Sequence, residues 1–294
     1  MKSGFVAIIG RPNAGKSTLL NQILERKVAI ISDKPQTTRN RISGILTRDE
    51  AQIIFLDTPG IHKPKHKLGK YMVDVAQGTL AEVDLIYYMV DASTSFGSGE
   101  QYIIDKLSEI DTSVFLLLNK IDVLKPQQVL ENIAEWQTKG DFTEIFPLSA
   151  LNGKNVQPLI TKTIEYLPEG PLYYPPDAVT DQPEQVVIGE LIREKIILLT
   201  REEIPHSVAV MIEMMEKRAN DTVYIGATIF VERNSQKGII IGKKGELLKK
   251  IGSEARKDIE FLLGNKVFLE LWVKVKEDWR NREKILRNLG YEKF

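Results

Sequence analysis

The chain has 294 residues, of which 43% are hydrophobic and 27% are charged, and it contains no cysteine. This length suits two globular domains, and the lack of cysteine excludes disulfide bonds and thiolate metal sites. No apolar run reaches the roughly 18 residues that a membrane-spanning helix needs. The opening residues, MKSGFVAIIG, lack the long apolar stretch of a signal peptide, so we expect a cytoplasmic protein.

The zero net charge, from 40 basic and 40 acidic residues, hides an asymmetry along the chain. Residues 181–232 contain 5 Lys or Arg and 10 Asp or Glu, a balance of −5. Residues 233–294 contain 16 and 9, a balance of +7. The last fifth of the chain is therefore expected to contact an anionic partner.

Short apolar strands alternate with helical patterns over the first 167 residues. We predict helices at 16–25 and 98–110, among others, and strands at 5–10, 42–47, 52–57, 85–91, 113–119 and 144–149. This alternation indicates a doubly wound, mainly parallel α/β sheet that is covered on both faces. Only four residues separate the second strand from the third, so these two are expected to form an antiparallel hairpin at one edge.

The pattern changes after residue 167, where five of the 13 prolines are concentrated. We interpret 171–184 as a stiff, proline-rich linker between a first domain at 1–170 and a second domain at 185–294. The second domain has a different, α+β order. Its predicted elements are a helix at 186–200, strands at 207–217 and 221–233, a short helix before residue 242, a helix to 263, a strand at 266–275 and a helix at 279–289.

Residues 10–18, GRPNAGKST, lie between the first strand and the first helix. The spacing G-x-x-x-x-G-K-[ST] lets backbone N–H groups surround a phosphate chain at a helix N-terminus. Lys16 is predicted to be catalytic through contact with the β- and γ-phosphates, and Ser17 is predicted to bind Mg²⁺. The nucleotide-binding residues predicted in this loop are Gly10, Asn13, Ala14, Gly15, Lys16, Ser17 and Thr18.

The tetrapeptide Asp57-Thr58-Pro59-Gly60 ends the third predicted strand. A carboxylate at this position can hold Mg²⁺, and the N–H of Gly60 can contact the γ-phosphate. We therefore add Asp57 to the predicted metal ligands, and Gly60 to the predicted catalytic residues.

Two later motifs point to the base. Asn119, Lys120 and Asp122 follow the fifth predicted strand, and the carboxylate of Asp122 can accept hydrogen bonds from the N1–H and 2-amino groups of guanine, which adenine does not offer. The N–H of Ala150 can donate to guanine O6. Because ligands bind at the carboxyl ends of strands in open α/β sheets, the four motifs together predict GTP. The residues predicted around the base are Asn119, Lys120, Asp122, Ser149, Ala150 and Leu151.

These motifs resemble those of the TrmE–Era–EngA group of GTPases. The resemblance places a third Mg²⁺ ligand at Thr38, in the first mobile loop (33–41), and makes this residue catalytic. Many regulatory GTPases have a water-orienting glutamine where this chain has Ile61, so hydrolysis is expected to be slow or to depend on another element. Asn13 matches a residue that helps to hold K⁺ in related proteins. Support of the loop backbone is the alternative role for Asn13.

A second glycine–lysine loop, Gly-Lys-Lys-Gly at 242–245, lacks the triphosphate-binding spacing and a following Ser or Thr. The order helix, strand, strand, helix, GxxG, helix, strand resembles a type II KH domain, which clamps about four nucleotides of single-stranded nucleic acid. A basic corner between two helices is the alternative. Three aromatic residues, Trp272, Trp279 and Tyr291, are candidates for base stacking, with core packing as the alternative for Trp272. The predicted RNA-binding residues are Ile239, Ile241, Gly242, Lys243, Lys244 and Gly245.

The arrangement of GTPase motifs, proline-rich linker and C-terminal KH domain resembles the Era GTPases over the whole chain. The resemblance implies a monomeric cytosolic GTPase that uses Mg²⁺, binds the 3′ end of small-subunit rRNA and assists assembly of the small ribosomal subunit. Peripheral contact with the inner membrane is a further expectation. The alternatives are a tRNA-modification GTPase, a membrane-associated regulatory GTPase and an RNA-binding protein with a structurally bound nucleotide.

Overall fold

The computed structural model describes residues 1–291, which divide into two compact units. The first unit consists of Met1–Ala29, Thr38–Pro64 and Gly69–Asp181. The second unit begins in the main at Gln182, and the short segments Ile30–Thr37 and Lys65–Leu68 are grouped with it. The loop that the sequence predicts to be mobile therefore changes unit between Thr37 and Thr38.

The strands of the first unit form one twisted sheet with helices on both faces. They are β1 Lys2–Gly10, β2 Ile42–Thr47, β3 Ala51–Asp57, β4 Leu85–Asp91, β5 Val114–Asn119 and β6 Glu144–Pro147. Their order in the sheet is β2-β3-β1-β4-β5-β6, and every neighbouring pair is parallel except β2 with β3. The predicted doubly wound sheet and its antiparallel edge strand are thus confirmed.

The helices of this unit are α1 Lys16–Leu24, α2 Lys67–Thr79, α3 Ser98–Leu107, α4 Pro126–Trp136 and α5 Val156–Tyr166. On one face of the sheet, Leu20 of α1 and Ile160 of α5 pack in a buried cluster. On the other face, Ile103 of α3 and Trp136 of α4 belong to a second cluster. Because both faces are covered, the strand residues are almost continuously buried.

The proline-rich stretch after α5 lies along the sheet of the first unit. The fully buried side chain of Gln52, on β3, accepts hydrogen bonds from the N–H groups of Tyr173 (2.8 Å) and Tyr174 (3.0 Å) and donates to the carbonyl of Tyr174 (2.9 Å). Farther along, the N–H of Ile45 on β2 donates to the carbonyl of Val179 at 2.8 Å. Three of the residues that we interpret as linker, Tyr173, Tyr174 and Val179, therefore have backbone partners in the first unit.

The second unit is built on a sheet of β7 Ala209–Lys217, β8 Val223–Val231 and β9 Val267–Val275. Strand β8 is central, antiparallel to β7 and parallel to β9. The helices are α6 Glu184–Leu199, α7 Ile204–Ser207, α8 Asn234–Ile241, α9 Glu246–Leu263 and α10 Glu283–Asn288. The core joins Ile196 of α6, Ile229 of β8 and Ile259 of α9. No helix within residues 1–291 is both long and apolar enough to cross a membrane.

Two of the three aromatic residues proposed for base stacking lie in the core of the second unit. Trp279 is fully buried, and its indole N–H donates to the carbonyl of Ser207 at 2.9 Å. The ring of Tyr291 stacks on it at 6.1 Å and is 8% exposed. A stacking role is therefore wrong for Trp279 and Tyr291, because their ring faces are covered by protein. Trp272 is 39% exposed.

Candidate functional site

The loop between β1 and α1 has a backbone that its two glycines make possible. Gly10 and Gly15 have φ angles of 151° and 104°. A Cβ atom would lie 2.2 Å from the carbonyl oxygen of Met89 at Gly10, and 2.2 Å from Nδ2 of Asn119 at Gly15. Both positions therefore require glycine. Gly60 lies against the same loop, since its Cβ would come within 2.6 Å of the Pro12 nitrogen.

Lys16, the first residue of α1, is folded back over this loop. Its ammonium donates to the carbonyls of Gly10 (3.3 Å) and Arg11 (3.0 Å), and the residue is only 6% exposed. Burial lowers the pKa of Lys16 to about 8, against the opposing effect of the Asp57 charge. A dianionic or trianionic phosphate chain would favour the charged form of this amine.

The three residues predicted as metal ligands lie together. Ser17 Oγ donates to Asp57 Oδ2 at 2.6 Å and lies 2.8 Å from Thr38 Oγ1, which is 3.4 Å from the same carboxylate oxygen. Asp57 is fully buried, and its second oxygen, Oδ1, has no hydrogen-bond partner among the described residues. Burial raises the pKa of Asp57 to about 6, although Lys16 and the two hydroxyls oppose this rise.

This cluster of oxygen atoms fits Mg²⁺. The ion prefers carboxylate and hydroxyl oxygens, and it usually takes only one or two carboxylates together with phosphate oxygens. The unpartnered Oδ1 of Asp57 would gain a partner from a cation, which offsets the cost of a buried carboxylate. The loop segment containing Thr38 is not solvated at this point, because Thr38 is 7% exposed.

Asn119 connects the phosphate loop with the loop after β6. Its Nδ2 donates to the carbonyl of Ala14 at 2.7 Å, and its Oδ1 accepts from the N–H of Ala150 at 2.9 Å. This second hydrogen bond uses the amide that the sequence assigns to guanine O6, so the structure does not support that particular donor. Ala150 nevertheless lies beside the other predicted base-binding residues.

Asp122 and Lys120 lie at the same end of the sheet. Asp122 is exposed and accepts a hydrogen bond of 2.5 Å from the Ser149 hydroxyl through Oδ1. Lys120 forms a 2.5 Å ion pair with Asp91, at the end of β4. Asp91 was not among the predicted site residues, although its place at the end of β4, beside Asn119 of β5, could have revealed it. Leu151 is 75% exposed.

Ile61 has a structural role. It is 6% exposed within the cluster that packs on α3 and α4, and its N–H donates to the carbonyl of Gly10 at 3.1 Å. The side chain therefore points into the core, where it cannot orient a water molecule. Thr18 lies in the first turn of α1, as predicted.

The second glycine–lysine loop joins α8 to α9, as predicted. Gly242 has a φ of 72°, and a Cβ there would lie 2.8 Å from the Cβ of Leu247. Lys243 and Lys244 are exposed and form no ion pair with the described residues. Gly245 caps α9 in the left-handed conformation. This turn presents two cationic side chains at a point where the backbone itself is accessible.

The apolar residues before this turn divide between solvent and core. Ile239 is 51% exposed, Ile240 is fully buried and Ile241 is half-buried beside the core. Of the two predicted RNA-binding isoleucines, Ile239 therefore offers the more accessible surface.

Comparisons with known proteins agree with both halves of this description. The family model of the 50S ribosome-binding GTPases matches residues 5–120, and that of the KH domain matches residues 203–280. A variant of Era from Aquifex aeolicus bound to GDP·AlF4⁻ is 45% identical, with a TM-score of 0.97 and 100% of both chains covered. The chain belongs to the Era family of GTPases.

A second Era structure, in complex with MgGDPNP and nucleotides 1506–1542 of 16S ribosomal RNA, has the same 45% identity, TM-score of 0.97 and full coverage. Membership of the Era family makes the chain a GTP hydrolase with a C-terminal KH domain. The predicted fold class and enzyme class are therefore confirmed, and the alternative of a purely structural nucleotide is wrong.

We predict that Asn119→Ala lowers the free energy of unfolding by about 2 kcal/mol, because the buried carbonyl of Ala14 and N–H of Ala150 both lose their partner. Urea unfolding of the nucleotide-free protein measures this effect. Asn152→Ala, at an exposed asparagine of the next loop, should cost less than about 0.5 kcal/mol. Equal losses in the two variants would contradict a bridging role for Asn119.

Proposed function

We propose that this Era-family GTPase uses GTP binding and hydrolysis to control its binding to the single-stranded 3′ end of small-subunit rRNA during subunit assembly. The observation that carries this proposal is the 45% identity, over 100% of both chains, to an Era protein in complex with MgGDPNP and a 16S rRNA fragment. The exposed lysine turn of the KH domain supports it, because that turn suits an anionic polymer.

In this proposal the phosphate loop holds GTP, with its backbone N–H groups directed to the phosphates. Lys16 contacts the β- and γ-phosphates, and the Gly60 N–H contacts the γ-phosphate. Ser17, Thr38 and Asp57 would hold Mg²⁺, and the ion would supply positive charge beside the phosphate oxygens. Support for these assignments comes from the 2.6–3.4 Å contacts among the three side chains and from the unpartnered Asp57 Oδ1.

The base is held at the other end of the site. Asp122 accepts from the two ring-edge donors of guanine, with Ser149 holding the carboxylate in place. Lys120, already neutralised by Asp91, lies along the base or sugar. Because the amide of Ala150 is engaged by Asn119, Asp122 carries most of the discrimination between guanine and adenine.

Hydrolysis needs a positive charge or a water-orienting group that Ile61 cannot supply. We propose that K⁺, held in part by Asn13, supplies charge beside the phosphates. The support for this role is the place of Asn13 in the phosphate loop, three residues before Lys16.

Single-stranded RNA is proposed to bind at the turn between α8 and α9. Lys243 and Lys244 neutralise two phosphates, the backbone at Gly242 and Gly245 allows close approach, and Ile239 supports a base. An anionic membrane surface is a weaker candidate partner, because a headgroup layer offers charge but no unstacked base for Ile239. We propose a monomer with at most peripheral membrane contact.

We predict that Asp122→Asn lowers GTP affinity and shifts the preference towards xanthosine triphosphate. Xanthine has a carbonyl where guanine has its 2-amino group, so the amide of asparagine can donate to it. A loss of at least tenfold in GTP affinity corresponds to about 1.4 kcal/mol. Competition binding with the two triphosphates measures it, and GTP affinity unchanged within about twofold would refute the guanine assignment.

We predict that GTP hydrolysis runs faster in potassium than in sodium at equal ionic strength, and that Asn13→Ala removes the difference. The reason is that the larger ion would be held against the phosphates in part by the Asn13 side chain. Steady-state turnover in the two salts measures this. Indistinguishable rates for the unmodified protein would rule out the potassium proposal.

We predict that Lys243→Asp with Lys244→Asp abolishes binding of a single-stranded pyrimidine-rich RNA, since two phosphate contacts become two repulsions. Filter binding at several salt concentrations measures affinity. The matched control reverses two exposed lysines at strand ends of the same unit, Lys217→Asp with Lys266→Asp, whose side chains are 63% and 85% exposed. Equal losses in both double variants would reduce the effect to net charge, and unchanged affinity in the first would contradict the KH proposal.

A further inference from the structure

The segment Ile30–Thr37, which leads directly into Thr38, is a compact turn with its own hydrogen bonds. The hydroxyl of Thr37 donates to the carbonyl of Lys34 at 2.6 Å and lies 2.8 Å from the hydroxyl of Ser32. The N–H of Lys34 donates to Ser32 Oγ at 3.0 Å. The segment is grouped with the second unit. Contacts that hold Thr37 also restrain its neighbour in the chain, Thr38.

Two consecutive residues of α6 hold the two ends of this segment. Nη2 of Arg193 donates to the carbonyl of Thr37, and the N–H of Ile31 donates to Oε1 of Glu194 at 3.1 Å. Both side chains are buried, with Arg193 0% and Glu194 3% exposed. The two side chains are therefore shielded from water, whereas their partner Ile31 is 39% exposed and Thr37 is half-buried.

Arg193 is a costly residue for stability alone. Its Nε donates to Glu190 Oε1 at 2.8 Å, but its Nη1 has no hydrogen-bond partner among the described residues. A buried guanidinium with an unpaired donor pays a desolvation penalty that an apolar side chain of similar size would avoid. Besides its ion pair with Glu190, the hydrogen bond that Arg193 makes with the described residues goes to Thr37. We therefore attribute the presence of Arg193 to its contact with the segment Ile30–Thr37, because the packing of α6 does not require a charged side chain.

The planar peptide bond connects the Thr37 carbonyl, which Arg193 holds, to the backbone of Thr38. The carbonyl of Thr37 and the nitrogen and Cα of Thr38 lie in one plane. Holding the carbonyl oxygen consequently restrains the position of the Thr38 Cα, from which the side chain leaves the backbone. That side chain reaches Ser17 Oγ at 2.8 Å and Asp57 Oδ2 at 3.4 Å.

We infer that Arg193 is a positioning residue for GTP hydrolysis, which holds the Thr37 carbonyl so that the Thr38 hydroxyl stays beside Ser17 and Asp57. Glu194 assists by holding Ile31 at the other end of the segment. The inference rests on the proposed role of Thr38 as a Mg²⁺ ligand. Among the described residues, the hydrogen-bond partners of Arg193 are Glu190 and Thr37. Arg193 therefore acts on the metal-binding cluster only through Thr37.

The first test compares Arg193→Met with Arg193→Lys. Methionine keeps the length and apolar character of the side chain but removes the donor, and lysine keeps a donor for the Thr37 carbonyl. We expect kcat for GTP to fall about tenfold in Arg193→Met, which corresponds to about 1.4 kcal/mol. Affinity for GDP should stay within twofold, and Arg193→Lys should recover part of the lost kcat.

A second readout does not depend on activity. Amide hydrogen exchange of peptides covering residues 30–38, measured on nucleotide-free protein, should become about tenfold faster in Arg193→Met. Exchange in α1 and in the strands of the first unit should not change. Affinity for a non-hydrolysable GTP analogue should fall while affinity for GDP does not, because GDP lacks the γ-phosphate that the Thr38 loop is proposed to meet.

The matched control is Arg280→Met. Arg280 is also a largely buried arginine of the second unit, paired with Glu232 at 2.6 Å and with Nε unpartnered. It should reduce thermal stability to a similar degree but leave kcat and the exchange of residues 30–38 unchanged. Equal effects of Arg280→Met and Arg193→Met on both readouts would overturn the inference, since they would reflect general loosening.

The variant Thr38→Ala separates the two hypotheses. If Thr38→Ala leaves kcat unchanged, the proposed metal role of Thr38 is wrong. If Thr38→Ala lowers kcat but Arg193→Met changes neither kcat nor the exchange of residues 30–38, the metal role stands and the positioning role of Arg193 is wrong.

Discussion

The buried carboxylate of Asp57 is the constraint around which the nucleotide site is arranged. A charge with no access to water must be compensated by neighbours, and here Ser17 and Thr38 supply hydroxyl groups while Lys16 supplies the opposing charge. Lys16 and Ser17 come from the start of α1, and Thr38 comes from the loop before β2. The positions of α1, of β3 and of the loop before β2 are therefore all tied to one carboxylate.

A separate set of charged contacts lies within the second unit. Lys195 on α6 contacts both Glu194 (3.0 Å) and Asp258 of α9 (2.6 Å). Helix α9 starts immediately after the Gly-Lys-Lys-Gly turn. A continuous series of polar contacts thus runs from Ile31 to the helix that follows the turn. Such continuity is a physical precondition for coupling and does not by itself measure it.

Sequence reasoning succeeded where the chemistry is local in the chain. Strand-end motifs predict correctly that Asp57 and Asn119 lie at one edge of the sheet, because parallel strands bring their carboxyl ends together. The four-residue connection likewise predicts the observed hairpin of β2 and β3. Sequence reasoning failed for contacts between residues far apart in sequence. Nothing near Gln52 or Arg193 indicates that one holds Tyr174 and the other holds Thr37. Trp279 was misassigned because an aromatic residue in a basic stretch has the same pattern whether it faces RNA or the core.

The hydrogen bond from Ile45 to Val179 has a consequence for how the first unit avoids self-association. Strand β2 is an edge of the sheet, and an unprotected edge of apolar residues is a template for intermolecular pairing. The proline-rich stretch occupies that edge, while the opposite edge strand, β6, is short and ends in Pro147. If the two units were produced separately, a cut after Asp181 would keep this cover, whereas a cut at residue 170 would expose β2 to aggregation.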